Sequence, residues 1–226
     1  MKQLAFDFSV ITPPTFDNFV VGCNAEVVES LRAIVSPDCT ERCVYLWGAR
    51  ASGRTHLLKA AVTALQGTAK TVSYFRCTPD DAPGEALQAM DAVAIDDVER
   101  LSEDGQIALF NLYNVLREKG ATLLAAGHVA PMQLGLRPDV VTRLGWGLVY
   151  EVHALTDEEK TRALADRASA RGFTLQPDVS QYLLTHARRD MPALLAVLDA
   201  LDRYSLEAKR PVTVPLLREL LAAEGK

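Results

Sequence analysis

Between about residue 20 and residue 154, short apolar runs alternate with longer stretches whose apolar positions recur at helical spacing. Cys43–Trp47 (CVYLW) has the length and continuity of a strand buried on both faces. Arg54–Gln66 follows, with Leu57, Leu58, Ala61, Val62 and Leu65 on one helical face. Thr71–Phe75 reads as a second strand, Gly84–Met90 as a short helix and Ala92–Ile95 as a third strand. Glu103–Lys119 is expected to be a helix, with Leu109, Leu112, Tyr113 and Leu116 facing the core. Ala121–Ala126 and Val149–Val152 supply a fourth and a fifth strand. Strands separated by helices predict an α/β unit: a parallel sheet with helices on both faces.

After about residue 155 only the helical period remains. Thr156 with Glu159 three residues on is a capping-box signature for a helix ending near Gly172. Pro177 can open the next helix. Leu194, Val197, Leu198 and Leu201 mark a third, and Val214, Leu217, Leu220 and Leu221 a fourth. The boundary between the α/β unit and this small all-α domain falls near residue 154. The expected division is therefore 1–14 as an extended peptide and linker, 15–154 as the α/β domain and 155–226 as the helical domain.

A chain of 226 residues is long enough to bury a core without disulfides. Its four cysteines (Cys23, Cys39, Cys43, Cys77) show no paired metal-ligand spacing. No apolar run reaches the ~20 residues of a membrane span, and MKQLAFDF does not read as a signal peptide. A cytoplasmic protein is expected. Residues 1–155 hold 13 basic and 18 acidic side chains, and residues 156–226 hold 11 of each, for a net charge of −5. Neither part has the basic excess of a domain that grips duplex phosphates, so strong direct DNA binding is not expected.

Gly48-Ala49-Arg50-Ala51-Ser52-Gly53-Arg54-Thr55 has the spacing of a phosphate-binding loop, G-x-x-x-x-G-K-[ST], with arginine at the lysine position. It follows a strand and opens a helix, where backbone N–H groups and the helix N-terminus attract phosphate. Thr55 would offer its hydroxyl to Mg²⁺. Val93-Ala94-Ile95-Asp96-Asp97 is an apolar strand ending in two acids. Asp96 would hold the metal through its water shell, and Asp97 would orient an attacking water. The plainer alternatives are a tight turn and a solvated acidic turn. Arg54 spreads its charge over a planar fork, which suits the end of a diphosphate and crowds a third phosphate. Binding is expected of this loop more than hydrolysis.

These residues resemble AAA+ proteins of the DnaA initiator type, and within them the group that inactivates DnaA. The resemblance covers nearly the whole chain, and it implies an AAA+ P-loop core followed by a helical lid. Thr15–Gly22 (TFDNFVVG) is similar to the segment that lies against the adenine, which brings in Val20 and Val21. The loop with Arg54 followed by His56-Leu57-Leu58 is similar to the inactivator form and adds His56. Arg143-Leu144-Gly145-Trp146-Gly147-Leu148 is similar to the box that carries an arginine finger, which implies that role for Arg143. Arg189, before Asp190-Met191, falls where the family has its sensor-2 arginine. A surface arginine and a solvated basic turn remain the alternatives for Arg143 and Arg189. Leu123–His128 occupies the sensor-1 strand, with His128 near a position where the family has an acid. No helix-turn-helix pattern follows the lid, which again argues against duplex binding.

Gln3-Leu4-Ala5-Phe6-Asp7-Phe8 precedes Pro13-Pro14 and alternates apolar with other residues, as an extended segment with one apolar side does. An edge strand on the body of the protein is one reading. The segment also resembles the Q-L-x-L/F-x-F motif by which bacterial proteins dock on the DNA polymerase sliding clamp, through Gln3, Leu4, Phe6 and Phe8. Together the resemblances imply a negative regulator of replication initiation. It would carry ADP (or ATP) with Mg²⁺, dock on the clamp and stimulate hydrolysis of DnaA-bound ATP through Arg143 in trans. The alternative is a self-contained ATPase, for instance one of helicase-loader type. Self-association stays open.

Overall fold

The computed structural model describes residues 13–36 and 39–224, which form two compact units, Pro13–Ala154 and the chain from Leu155 onward. In the first unit five strands make one parallel sheet in the order β2-β3-β4-β1-β5. They are β1 (Cys43–Trp47), β2 (Val72–Arg76), β3 (Ala92–Asp96), β4 (Thr122–Gly127) and β5 (Leu148–Glu151). The helices are α1 (Ala25–Val35), α2 (Arg54–Gln66), α3 (Glu103–Glu118) and α4 (Pro138–Leu144). The expected elements are present with ends moved by a residue or so. Gly84–Met90 narrows to a 3₁₀ turn at Glu85–Ala89, and the second strand runs one residue later than its apolar pattern.

The strands of the sheet centre are apolar throughout because both faces are covered, and alternate residues divide between two cores. Val44, Leu46, Ala92, Ala94, Leu124 and Ala126 meet α1 and α2 on one face. Tyr45, Val93, Ile95, Leu123 and Ala125 meet α3 and α4 on the other. The sequence reading did not name α1 or α4. Val27, Val28, Leu31 and Ile34 of α1 are all buried, at the spacing that places them on one face. Pro138 opens α4, where its missing N–H costs nothing. β1 neighbours β4 and β5 rather than β2. The chain therefore leaves β1 through the loop into α2 and crosses to the sheet edge.

The second unit is four helices: α5 (Asp157–Ala170), α6 (Pro177–His186), α7 (Met191–Ala208) and α8 (Val214–Glu224). The Thr156–Glu159 capping box is formed in both directions. Asp190 caps α7 by accepting from the Ala193 N–H. Leu164, Leu183, Leu194, Leu198, Leu201 and Leu217 are fully buried in one core. Arg167 of α5 and Arg171, just after it, pair with Asp199 and Asp202 of α7. Among the described residues no helix is long and apolar enough to cross a membrane.

Candidate functional site

The loop Gly48–Gly53 joins the C-terminal end of β1 to the first turn of α2. Two of its positions need glycine. A Cβ on Gly48 would lie 2.2 Å from the Val152 carbonyl oxygen, and Gly53 has φ +107 with the Phe19 ring where its side chain would be. Ala51 is also left-handed, at φ 64. This backbone turns around the N-terminus of α2, whose first N–H groups have no intrahelical acceptor. Ala49, Arg50 and Ala51 are exposed, and Ser52 is buried. The Ser52 hydroxyl and Arg54 Nη1 are buried with no hydrogen-bond partner among the described residues. Two such polar atoms in a glycine-shaped anion cradle fit a nucleoside phosphate, which would supply their acceptors.

Asp96 ends β3 beneath this loop and is completely buried. Its Oδ2 accepts from the Thr55 hydroxyl at 2.6 Å and from the Tyr74 hydroxyl at 2.8 Å, while Oδ1 accepts from the Asp97 N–H. Burial and the Asp96 carboxylate both hold the Tyr74 phenol far above its ordinary range, so it remains a donor. Thr55 and Asp96 are the pair that would hold Mg²⁺, which neutralises phosphate charge when bound. Asp97 is brought to the same strand end, but its carboxylate is drawn into an ion pair with Arg76 at 2.8 Å. Register explains this, because Arg76 lies opposite Asp96 on the neighbouring strand. Asp97 also adopts a left-handed backbone, φ 56, at the start of the next turn.

At the tip of β4, His128 Nδ1 lies 3.1 Å from Glu99 Oε1. Glu99 Oε2 is buried without a partner. Tyr45 connects this corner to the loop: burial and Glu99 raise its pKa, and Arg54 opposes them. Sequence reading singled out neither Tyr74 nor Glu99. Both act through tertiary placement, and only the Asp96-facing position of Tyr74 on a neighbouring strand could have signalled it.

Thr15–Gly22 lies along α2. The His56 ring meets the Thr15 carbonyl oxygen through Nε2 at 2.9 Å and Phe19 at 5.3 Å between ring centroids. Burial lowers the His56 pKa and favours the neutral ring. Val20 and Val21 are partly buried, Val21 against the core under α1 and α2. Asn24, a third residue without a signal in the sequence, exchanges two hydrogen bonds with the His153 backbone and ties this segment to the chain beyond β5.

Arg143 is not at the loop. It lies in the last turn of α4 with its guanidinium 4.4 Å from the Trp146 ring centroid and 5.0 Å from that of Phe110. Arg143 Nε is buried with no hydrogen bond among the described residues. Gly147 packs so tightly on Cys43 that a Cβ would lie 2.1 Å from the Cys43 carbonyl oxygen. That contact fixes the Trp146–Gly147 turn at the start of β1. In the helical unit, Arg189 pairs with Asp157 at 2.6 Å, and Arg188 pairs with the capping Asp190. Gln3, Leu4, Phe6 and Phe8 lie outside the described residues.

The family model for the bacterial DnaA ATPase domain matches residues 12–151, and that for the Hda lid domain matches residues 157–221. Domain III of the Thermotoga maritima initiation protein DnaA superposes with TM-score 0.72 at 19% identity, covering 92% of this chain and 95% of that one. AMPPCP-bound DnaA from Aquifex aeolicus gives TM-score 0.70 at 22% identity, covering 87% of this chain and 67% of that one. An initiator DnaA bound to AMPPCP and single-stranded DNA gives TM-score 0.71 at 21% identity over 86% of this chain. This chain spans only 66% of the length of that last protein. At these identities the superpositions establish the fold, whereas the family models match the sequence across both units. The chain belongs to the DnaA-type AAA+ family, and its C-terminal helices are a lid domain of the Hda kind.

Proposed function

We propose that this protein is a negative regulator of replication initiation that holds ADP in its own loop and presents Arg143 to ATP carried by a DnaA initiator. The observation that carries this reading is the place of Arg143. It stacks on an exposed tryptophan, and its turn is anchored at the start of β1, whereas the loop lies at the end of that strand. Five residues at ~3.3 Å each separate the two by about 16 Å. An arginine placed there serves a phosphate on another molecule, as arginine fingers supplied in trans do.

The family supports a nucleotide in the loop, and the buried Arg54 and Ser52 atoms support a phosphate there. Arg54 favours the diphosphate, because its fork takes space that a lysine would leave for a third phosphate. Arg76 withholds Asp97 from water activation, which argues for slow turnover in this loop. Gln3, Leu4, Phe6 and Phe8 would dock the chain on the sliding clamp and raise its local concentration near the initiator on DNA. Exchanging Gln3, Leu4 and Phe6 for alanine should then abolish clamp retention and leave nucleotide affinity unchanged.

The test is hydrolysis of ATP preloaded on a DnaA initiator, with and without this protein on a clamp. Acceleration by the wild type is expected, with turnover by the isolated chain far below the ~1 s⁻¹ of ordinary enzymes. Turnover near that rate by the chain alone, with no effect on the initiator, would support the self-contained ATPase instead.

A further inference from the structure

Beside Trp146 the start-of-strand end of the sheet opens a cleft of about 360 Å³, walled by the approach to β1, the C-terminal part of α3 and the Trp146–Gly147 turn. Arg42 and Arg117 line it, and the Arg117 guanidinium lies 5.0 Å from the Trp146 ring centroid. Together with Arg143, this places three arginines around one aromatic ring and its cleft. None of the three has a carboxylate within ion-pair distance among the described residues. Arg50, Arg54, Arg100, Arg162, Arg203 and Arg218 share that lack, whereas Arg32, Arg76, Arg137, Arg167, Arg171, Arg188, Arg189 and Arg210 are paired. What sets Arg42, Arg117 and Arg143 apart is that they meet at one ring and its cleft. Glu41 also lines the cleft and pairs with neither arginine.

Arg42 Nη1 is buried without an acceptor. A buried guanidinium N–H without a partner is costly, so the cleft gains most from a ligand that brings oxygens. The Cys43 thiol in the same wall is pushed up to about 12 by burial and stays neutral, leaving the positive charge unopposed by a thiolate. Trp146 is 53% exposed although it carries two stacked guanidinium groups. A half-exposed tryptophan flanked by arginines has the composition of an interface centre.

We propose that this cleft is the docking pocket for an acidic side chain of the ATP-bearing partner, with Arg42 and Arg117 forking onto its carboxylate beside the finger. The inference rests on the trans role of Arg143: a partner that reaches Arg143 must also cover the adjoining Trp146 and the cleft it lines. In this arrangement Arg42 and Arg117 set affinity, and Arg143 sets the chemical rate.

The experiment separates the two. Full-length wild type, the double variant Arg42→Ala/Arg117→Ala, Arg117→Lys and Arg143→Ala are each titrated against an ATP-loaded DnaA-type ATPase. Binding is followed by fluorescence anisotropy and hydrolysis by single turnover at saturation. The double variant should bind at least ten-fold more weakly, with an unchanged rate at saturation, and Arg117→Lys should recover part of the loss. Raising ionic strength should weaken the wild type more than the double variant. Unchanged nucleotide affinity in each variant shows that the loop is intact.

Wild-type affinity in the double variant overturns the proposal, as does a lower saturated rate at unchanged affinity. Loss of single-stranded oligonucleotide binding in place of ATPase binding also overturns it and assigns the cleft to nucleic acid. An affinity shift in the double variant with no rate effect of Arg143→Ala leaves the cleft standing and removes the finger. A wild type that does not bind the ATPase removes both.

Discussion

The two ends of the central sheet hold their arginines in opposite ways. Where β1 and β3 end, Arg54 sits in a backbone cradle shaped by Gly48 and Gly53, above a buried Asp96 already engaged by Thr55 and Tyr74. Where β1 begins, Arg143 and Arg117 lie on a half-exposed tryptophan with no cradle and no ion-pair partner among the described residues. The first arrangement encloses a small anion with preoriented groups. The second offers planar charge at a surface, held in place by ring contacts worth on the order of 1 kcal/mol each. On the proposed reading the same residue type belongs to a resident site at one end and is a donated group at the other, and backbone geometry makes the difference.

Removing the proposed finger, Arg143, should have the largest effect. Arg143→Ala is expected to lower stimulation of partner-bound hydrolysis by about 10³-fold or more, as loss of an arginine finger does, while ADP affinity stays within two-fold. Single-turnover assays beside an equilibrium nucleotide titration check both halves. Asp96→Asn attacks the opposite end. Its amide cannot accept from both hydroxyls and the Asp97 N–H as the carboxylate does, so thermal stability should fall by about 1–3 kcal/mol, and Mg²⁺ dependence of nucleotide binding should fade. Equal damage to clamp retention would show that the effect is unfolding rather than local.

Smaller effects sharpen the comparison. Gly53→Ala must hold an alanine at φ +107 against Phe19, so a cost of about 1–2 kcal/mol and weaker nucleotide binding are expected, read by calorimetry. Acid should also act on this end. The His56 pKa is lowered in the fold, so the unfolded chain binds the proton more readily. Stability should therefore decline as pH falls through the unfolded value of ~6.5. His56→Gln should flatten the thermal midpoint between pH 7.5 and 5.5 relative to the wild type. Arg76→Ala removes a half-exposed pair, which is worth at most about 1 kcal/mol. Its use is to release Asp97, and a measurable rise in the slow intrinsic turnover would show that the pair restrains it.

The strands were legible because two covered faces impose unbroken apolar runs, and the loop was legible because phosphate binding is a backbone pattern with fixed spacing. α1 and α4 carried readable signals in Val27, Val28, Leu31 and Ile34 and in Pro138. Both are short, and Asn24 bonds to the distant His153 backbone rather than to its own helix N-terminus. The Asp97–Arg76 pair depends on the register of β2 with β3, which the order of elements does not reveal. Arg42 and Arg117 gave no local signal, because their common feature, a place in one cleft without an ion pair, exists only in space.

The central claim is that the loop keeps a nucleotide while Arg143 acts on another molecule's ATP. The direct measurement loads this protein with unlabelled ADP, loads a DnaA initiator with γ-labelled ATP, and follows labelled phosphate after mixing on a clamp. Phosphate should be released rapidly with the wild type and at the initiator's basal rate with Arg143→Ala, with ADP remaining on this chain throughout. Equal release with both proteins, or release only after the label has exchanged onto this chain's own loop, would contradict the account.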